Sequence, residues 1–247
     1  MQRRQIYAES GNQLLSAQSA FSVSYLYINT MNPRVKICCI QNIEEARLAI
    51  RYGASAVGLV SAMPSGPGPI AEEKIAEIAR EIPPGVASFL LTSKQDADSI
   101  IAQQRRTRVN TLQLVDSISV DTYKKLRAEL PGIALVQVIH VLGQESINDA
   151  LAAAPHVDAL LLDSGRPDLP VKVLGGTGNT HDWSVSRAIV ERAMVPVFLA
   201  GGLKAANVQE AIERVQPFGI DVCSGVRTNG LLDETKLAAF FSRIYSR

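Results

Sequence analysis

At 247 residues the chain could form one large domain or two small ones, and 47% hydrophobic with 20% charged residues places it among globular rather than disordered proteins. Lys and Arg total 25 against 24 Asp and Glu; a net charge of +1 supplies no field for gathering nucleic acid or an anionic membrane, so neither is expected as a partner. No apolar run approaches the roughly 20 residues that cross a bilayer.

Residues 1–32 differ from the rest. They carry Arg3 and Arg4, many Ser, Ala and Gln, a single acid at Glu9, and no apolar segment of signal-peptide length. An N-terminal tail from an extended start, with Met31 as the natural first residue, is preferred over an organelle transit peptide of similar composition. A single domain is expected over residues 33–247.

From there one pattern repeats: a short apolar run, a turn, then a stretch with helical spacing. The strand-like runs are Val35–Ile40, Ala56–Val60, Val86–Leu91, Val109–Leu114, Ile133–Ile139, Val157–Leu162, Val195–Ala200 and Gly219–Val222. Runs apolar throughout suit parallel strands covered on both faces. Amphipathic segments between them include Ile43–Arg51, Glu72–Glu81, Val120–Glu129, Ser184–Arg192 and Ala205–Arg214. Gly53, Gly85 and Gly132 fit left-handed closing or turn residues after helices, and Pro83, Pro84, Pro131 and Pro196 lie between helix and strand. Alternating β and α units with eight strands predict an α/β fold, a (β/α)8 TIM barrel; a doubly wound open sheet is the competing architecture.

In such a barrel the polar residues to read are those at the carboxyl ends of the strands. Glycine-bearing loops follow the last three strands: Gly175-Gly176-Thr177-Gly178, Gly201-Gly202 and Ser224-Gly225. Backbone amides freed by glycine, beside helix amino termini, favour an anion, so a phosphorylated small molecule is the expected ligand. Period two places Lys36, Cys38 and Ile40 on one side of the first strand and Ile37 and Cys39 on the other. If the Lys36 side faces inward, its ammonium favours a Cys38 thiolate and a general base; otherwise both cysteines are core hydrophobes. Asp163 ends the sixth run as an acid with a raised pKa, or as a cap or surface carboxylate. Cys38, Cys39 and Cys223 are odd in number with two adjacent, a poor disulfide framework, which implies reduced thiols and a cytoplasmic setting.

Four segments carry a resemblance: Val35-Lys36-Ile37-Cys38; Leu161-Leu162-Asp163; Gly175-Gly176-Thr177-Gly178 with Asp182-Trp183; and Leu199-Ala200-Gly201-Gly202-Leu203 followed by Asp221-Val222-Cys223-Ser224-Gly225-Val226. From Arg34 onward the chain resembles the phosphoribosylanthranilate isomerase family of tryptophan biosynthesis. The resemblance implies a (β/α)8 barrel and an aldose-ketose isomerase, an Amadori rearrangement of an N-(5-phosphoribosyl) arylamine to the 1-deoxyribulose phosphate with no metal or organic cofactor. It implies Asp163 as general acid, Cys38 as general base, and phosphate on the amides of Gly201, Gly202, Ser224 and Gly225. Lys36, Gly176, Thr177, Gly178 and Asp221 fall on the same motifs as further substrate or phosphate contacts. The oligomeric state is left open.

Four positions depart from the family pattern. Cys39 stands where glycine follows the first-strand cysteine. The loop Met63–Pro69 lacks the Ser-x-Arg arginine taken to grip the anthranilate carboxylate. Gln113-Leu114-Val115-Asp116 replaces Gln-Leu-His-Gly, and Arg227 replaces glutamate, either as a substitute anion clamp or as a solvated surface residue. His140 and His181 are candidates to line a rebuilt aglycone pocket or are ordinary hydrogen-bonded histidines, and His156 lies on the far side. Two other readings stay open: an isomerase or lyase for a different phosphorylated sugar, and a non-catalytic phosphate-ester binder.

Overall fold

Each strand pairs in parallel with the one before it, and the eighth returns to the first, so the sheet closes into a barrel and the open-sheet alternative falls. The structure, a computed structural model, describes residues 32–165 and 180–245. The strands are β1 (Arg34–Ile37), β2 (Ala56–Val60), β3 (Ala87–Thr92), β4 (Thr111–Leu114), β5 (Ala134–His140), β6 (Ala159–Asp163), β7 (Val197–Leu199) and β8 (Gly219–Val222). The helices are α1 (Ile43–Arg51), α2 (Glu72–Glu81), α3 (Ala97–Thr107), α4 (Val120–Glu129), α5 (Glu145–Ala153), α6 (Trp183–Arg192), α7 (Val208–Val215) and α8 (Glu234–Tyr245). The compact unit begins at Pro33. Residues 1–31 of the expected extension, and Gly176, Thr177 and Gly178, lie outside the described residues.

Alternation along each strand splits the core into two layers. Val35, Ile37, Leu59, Leu90, Leu160 and Ile220 point outward and pack against helix residues such as Ile78, Ile100, Leu126 and Phe240. Cys38, Val60, Phe89, Leu91, Leu161 and Phe198 fill the interior. The Phe89 and Phe198 rings meet edge to face, 6.0 Å between centroids, so the middle of the barrel is a packed core.

Local chemistry sets the boundaries. Asn42, Asp96, Ser119 and Asp182 cap α1, α3, α4 and α6, each accepting from an amide two or three residues on. Gly53, Gly85 and Gly132 have φ of 108°, 90° and 83°, as their positions after helices predict. Several expected boundaries shift by one to three residues, and two of the shifts have a visible local cause. α7 starts at Val208 instead of Ala205 because the Asn207 side chain accepts from the Lys204 amide and donates to the Gly202 carbonyl, folding those residues into a turn. β1 ends at Ile37 rather than Ile40 because Cys39 has a φ of 62°, which takes the chain out of the extended region.

Leu90, fully buried between sheet and helices, gives the test of this layer: Leu90→Ala is expected to lower unfolding free energy by about 2–5 kcal/mol. Urea unfolding followed by circular dichroism would show a lower midpoint at unchanged slope.

Candidate active site

Inward-facing residues of β1 build the floor of the site. Lys36 Nζ lies 2.9 Å from Asp221 Oδ2, the residue opposite it on β8, with side-chain exposures of 0% and 7%. The ammonium also stands over the Phe89 ring, 5.3 Å from its centroid. Removing either partner of such a pair leaves a buried charge uncompensated, at about 3–5 kcal/mol. Burial works against the charged lysine, yet Asp221 and Cys38 together outweigh it and hold the ammonium above the usual lysine range. Lys36 is therefore committed beneath the cleft, while the Asp221 side chain reaches its lining.

Cys38 continues the ladder past the strand end, its amide donating to Val222 O at 2.8 Å, and its thiol faces the interior as alternation predicts. Gly58 on β2 makes the room: a β-carbon there would stand 2.7 Å from Cys38 Sγ and 2.9 Å from Lys36 Nζ. The Cys38 thiol is held below its ordinary pKa chiefly by the Cys39 thiol beside it, aided by Lys36, against the opposing effect of burial. Cys39 is pushed well above its ordinary value by its neighbours Cys223 and Cys38 and by burial, so it stays protonated, its thiol donating to Pro67 O at 3.7 Å.

That arrangement corrects the placement of Cys39 on the outer side of the strand. The left-handed bend at Cys39 breaks the period of two and turns its side chain inward, among the interior residues and beside Pro67 and Gly68 of the β2–α2 loop.

Across the barrel, Asp163 ends β6 and opens to the cleft. Desolvation by the surrounding protein raises its pKa, against a 2.7 Å hydrogen bond from the Ser164 amide and the nearby His140. It caps no described helix. His140 is tied through Nε2 to Val115 O at 2.9 Å, and His181 through Nε2 to Ser186 Oγ at 2.7 Å. Burial lowers the His181 pKa to about 4, so the ring is neutral at physiological pH. Neither histidine lines the cleft, which favours the ordinary hydrogen-bonded reading of both.

The cleft is open at the top, with about 700 Å³ of empty space counting the solvent at its mouth. Its base holds Cys38, Asp163 and Asp221, and one wall is the β2–α2 loop through Met63, Ser65 and Pro67, with Val115 and Leu91 beside it. The other wall is Gly201, Gly202 and Ser224. Gly201 and Gly202 have φ of 83° and 63°, a consecutive left-handed pair that only glycine adopts without strain. Gly225 lies behind this wall, where a β-carbon would stand 2.0 Å from the Leu203 carbonyl oxygen, so the two loops touch backbone to backbone. Among the described residues no protein group accepts from the amides of Gly202, Ser224 and Gly225, and no Lys or Arg lines the cleft. Among the same residues no cluster of three or more His, Cys, Asp or Glu side chains is disposed to hold a metal.

Arg227 overturns both sequence readings of it. It is neither solvated nor pointed at an anion in the cleft, but buried against Glu45 of α1 at 3.0 Å. The sequence reading missed Glu45, Gly58 and Cys223 as well. Glu45 carried a signal, an acid on the same helix face as the buried Ala46 and Ala49.

A sequence profile described as N-(5'phosphoribosyl)anthranilate (PRA) isomerase matches residues 35–243. The chain belongs to this family. It is 38% identical to N-(5'-phosphoribosyl)anthranilate isomerase 2 of Methanosarcina mazei over 212 residues, 85% of this chain and 93% of that protein. It is 33% identical to the Thermosynechococcus vestitus enzyme over 211 residues, 85% and 89% of the two chains. The phosphoribosyl anthranilate isomerase structure from Thermotoga maritima superposes with a TM-score of 0.74 at 30% identity, covering 87% of this chain and all of that one. Another structure of the family, in complex with reduced 1-(o-carboxyphenylamino)-1-deoxyribulose 5-phosphate, gives 0.71 at 27% identity and covers 87% and 100%.

Gly58→Ala tests how tightly the floor of the site is packed. The added methyl is expected to cost about 1–3 kcal/mol, as overpacking does. It should also slow alkylation of the Cys38 thiol by iodoacetamide at pH 7, read by peptide mass spectrometry. Unchanged alkylation would show that the thiol is not confined by β2.

Proposed function

We propose that this protein is an aldose-ketose isomerase that converts N-(5'-phosphoribosyl)anthranilate to 1-(o-carboxyphenylamino)-1-deoxyribulose 5-phosphate in tryptophan biosynthesis. The carrying observation is that a thiol held below its ordinary pKa and a carboxyl held above its own open into one cleft, from β1 and β6. Family membership and the analogue bound by a related isomerase support the same reading.

In the reaction, protonated Asp163 gives its proton to the furanose ring oxygen. The bond from that oxygen to C1 breaks as the nitrogen lone pair forms C=N. The Cys38 thiolate takes the proton from C2, the electrons move into an enolamine, and the ketone forms as that proton returns to C1 while the C2 hydroxyl gives up its own, which restores the protonated Asp163. No atom is gained or lost overall. Each proton transfer is worth about 100-fold to 10,000-fold. The phosphate lies on the amides of Gly202, Ser224 and Gly225 and against Gly201, so binding energy far from the reacting carbons orients them. Lys36 and Asp221 act beneath the substrate by setting the charge around the thiol; Gly176, Thr177 and Gly178 remain candidate contacts from the loop after β6.

One observation favours a second reading. The wall made by Met63, Ser65, Pro67 and Val115 offers no cation for a carboxylate among the described residues, which suits a phosphoribosyl arylamine or other phosphorylated glycosylamine lacking that group. Comparing the anthranilate substrate with its aniline counterpart decides between them. A charged partner would separate the two by about 30-fold or more in kcat/KM, and a ratio near one would favour the broader substrate class.

Cys38→Ala and Asp163→Asn are each expected to lower kcat at least 100-fold with the fold intact, and neither should rescue a tryptophan auxotroph that the parent gene rescues. Failure of the parent itself to rescue growth would sink the isomerase reading. Asp163→Asn carries a second outcome. Its folded pKa lies above the unfolded value, so the stability it contributes is complete below the unfolded pKa and is lost as pH rises through the folded one. Above its folded pKa the parent holds a desolvated charge that the amide lacks, and the variant should melt at a higher temperature there, with the gap closing in acid.

A further inference from the structure

Cys39 is a non-glycine residue at a φ of 62°, directly after the proposed base and inside the site. A side chain in that region disfavours the conformer by about 5- to 30-fold in population relative to ordinary backbone, so something must hold it. Arg227 occupies the place from which it can be held. Its Nη2 donates to the Cys38 carbonyl at 3.2 Å and to the Cys39 carbonyl as well. In an extended strand successive carbonyls point to opposite sides, so one nitrogen can serve both only when the chain is bent at Cys39. The guanidinium therefore recognises the bend itself.

The rest of the arginine is fixed. Nη1 and Nη2 donate to the two Glu45 oxygens at 3.0 Å each, and Nη1 also to Gly230 O at 2.9 Å. Glu45 is completed by the amides of Leu232 and Gln41, at 2.9 and 3.0 Å. The pair thus ties the β1–α1 turn and the start of α1 to the hairpin of Arg227–Thr228 and Leu231–Leu232 that follows β8. The four N–H groups on the two ends of a planar fork allow this, Nη2 sharing its two among three acceptors; a lysine ammonium could not reach a carboxylate and two carbonyls together.

We propose that Arg227 is a positioning residue for Cys38: with Glu45 it clamps the turn after β1 in the left-handed bend that directs the Cys38 and Cys39 thiols into the cleft side by side. The clamp touches no substrate and acts only through the turn. The claim rests on the reading of Cys38 as the base, but its test does not depend on turnover alone.

Arg227→Lys keeps the charge facing Glu45 and loses the double carbonyl contact. The expected result is a fall of about tenfold or more in kcat with KM changed less than about threefold, the signature of a misplaced catalytic group. The pH midpoint for iodoacetamide alkylation of Cys38, assigned by tandem mass spectrometry, should move upward as the Cys39 thiol leaves it. Adding Cys39→Gly, which bends freely, should raise kcat of Arg227→Lys by about fivefold while giving no gain in the parent. A kcat within twofold of the parent with an unmoved alkylation midpoint, or the same effect of Cys39→Gly in both backgrounds, would overturn the proposal. If Arg227→Lys does not fold, the paired neutral variant Arg227→Gln with Glu45→Gln carries the same readouts. A parent protein without isomerase activity would remove the proposed function alone, because alkylation reads the clamp without substrate.

Discussion

The site depends on a buried ion pair at the seam of the barrel. Lys36 and Asp221 are neighbours only because β1 and β8 pair in the register that sets them opposite each other. Their burial makes the charge effective, since field from an ammonium within the protein is not screened by water. It also makes the pair expensive to disturb, so both the thiol above it and the glycine beside it are held to fixed positions.

The proposed acid and the proposed base open into one cleft, and the charges they share do not separate them. Lys36 favours the charged form of both Cys38 and Asp163, and Asp221 disfavours both. The separation comes from what is private to each group. Cys38 has the polar Cys39 thiol beside it, whereas Asp163 faces chiefly desolvation. Tuning by a neighbouring thiol suits a chain that places cysteine where the family pattern has glycine, and it ties the bend at Cys39 to the chemistry rather than to packing alone.

How much of this could be read from the chain follows from the range of each interaction. Apolar runs marked eight strands, and alternation put Lys36 and Cys38 on one side of the first, because both signals are local; that this side faces inward needed the closed barrel. The glycine pair after β7 was legible for the same reason. Alternation failed at Cys39, where one backbone angle reverses the side of the chain. Arg227 could not be assigned because its partner, Glu45, is 182 positions away and its other acceptors are carbonyls, which leave no trace in a sequence. Asp221 was seen as part of a motif, but its pairing with Lys36 needed the closed sheet. The histidines drew attention by residue type, and their hydrogen bonds to Val115 and Ser186 direct them elsewhere.

Closure through β1 and β8 has a consequence for the order of events during synthesis. The first strand emerges early with its lysine and thiol, but the carboxylate that completes the floor and the arginine that clamps the turn arrive some 180 residues later. Contacts of such long sequence separation form late, after their loop-closure entropy has been met by the intervening structure. A partly translated chain can therefore bury much of its outer layer and still carry an ordinary thiol. The charge beneath Cys38 and the clamp on its turn are complete only once the final strand lies beside the first.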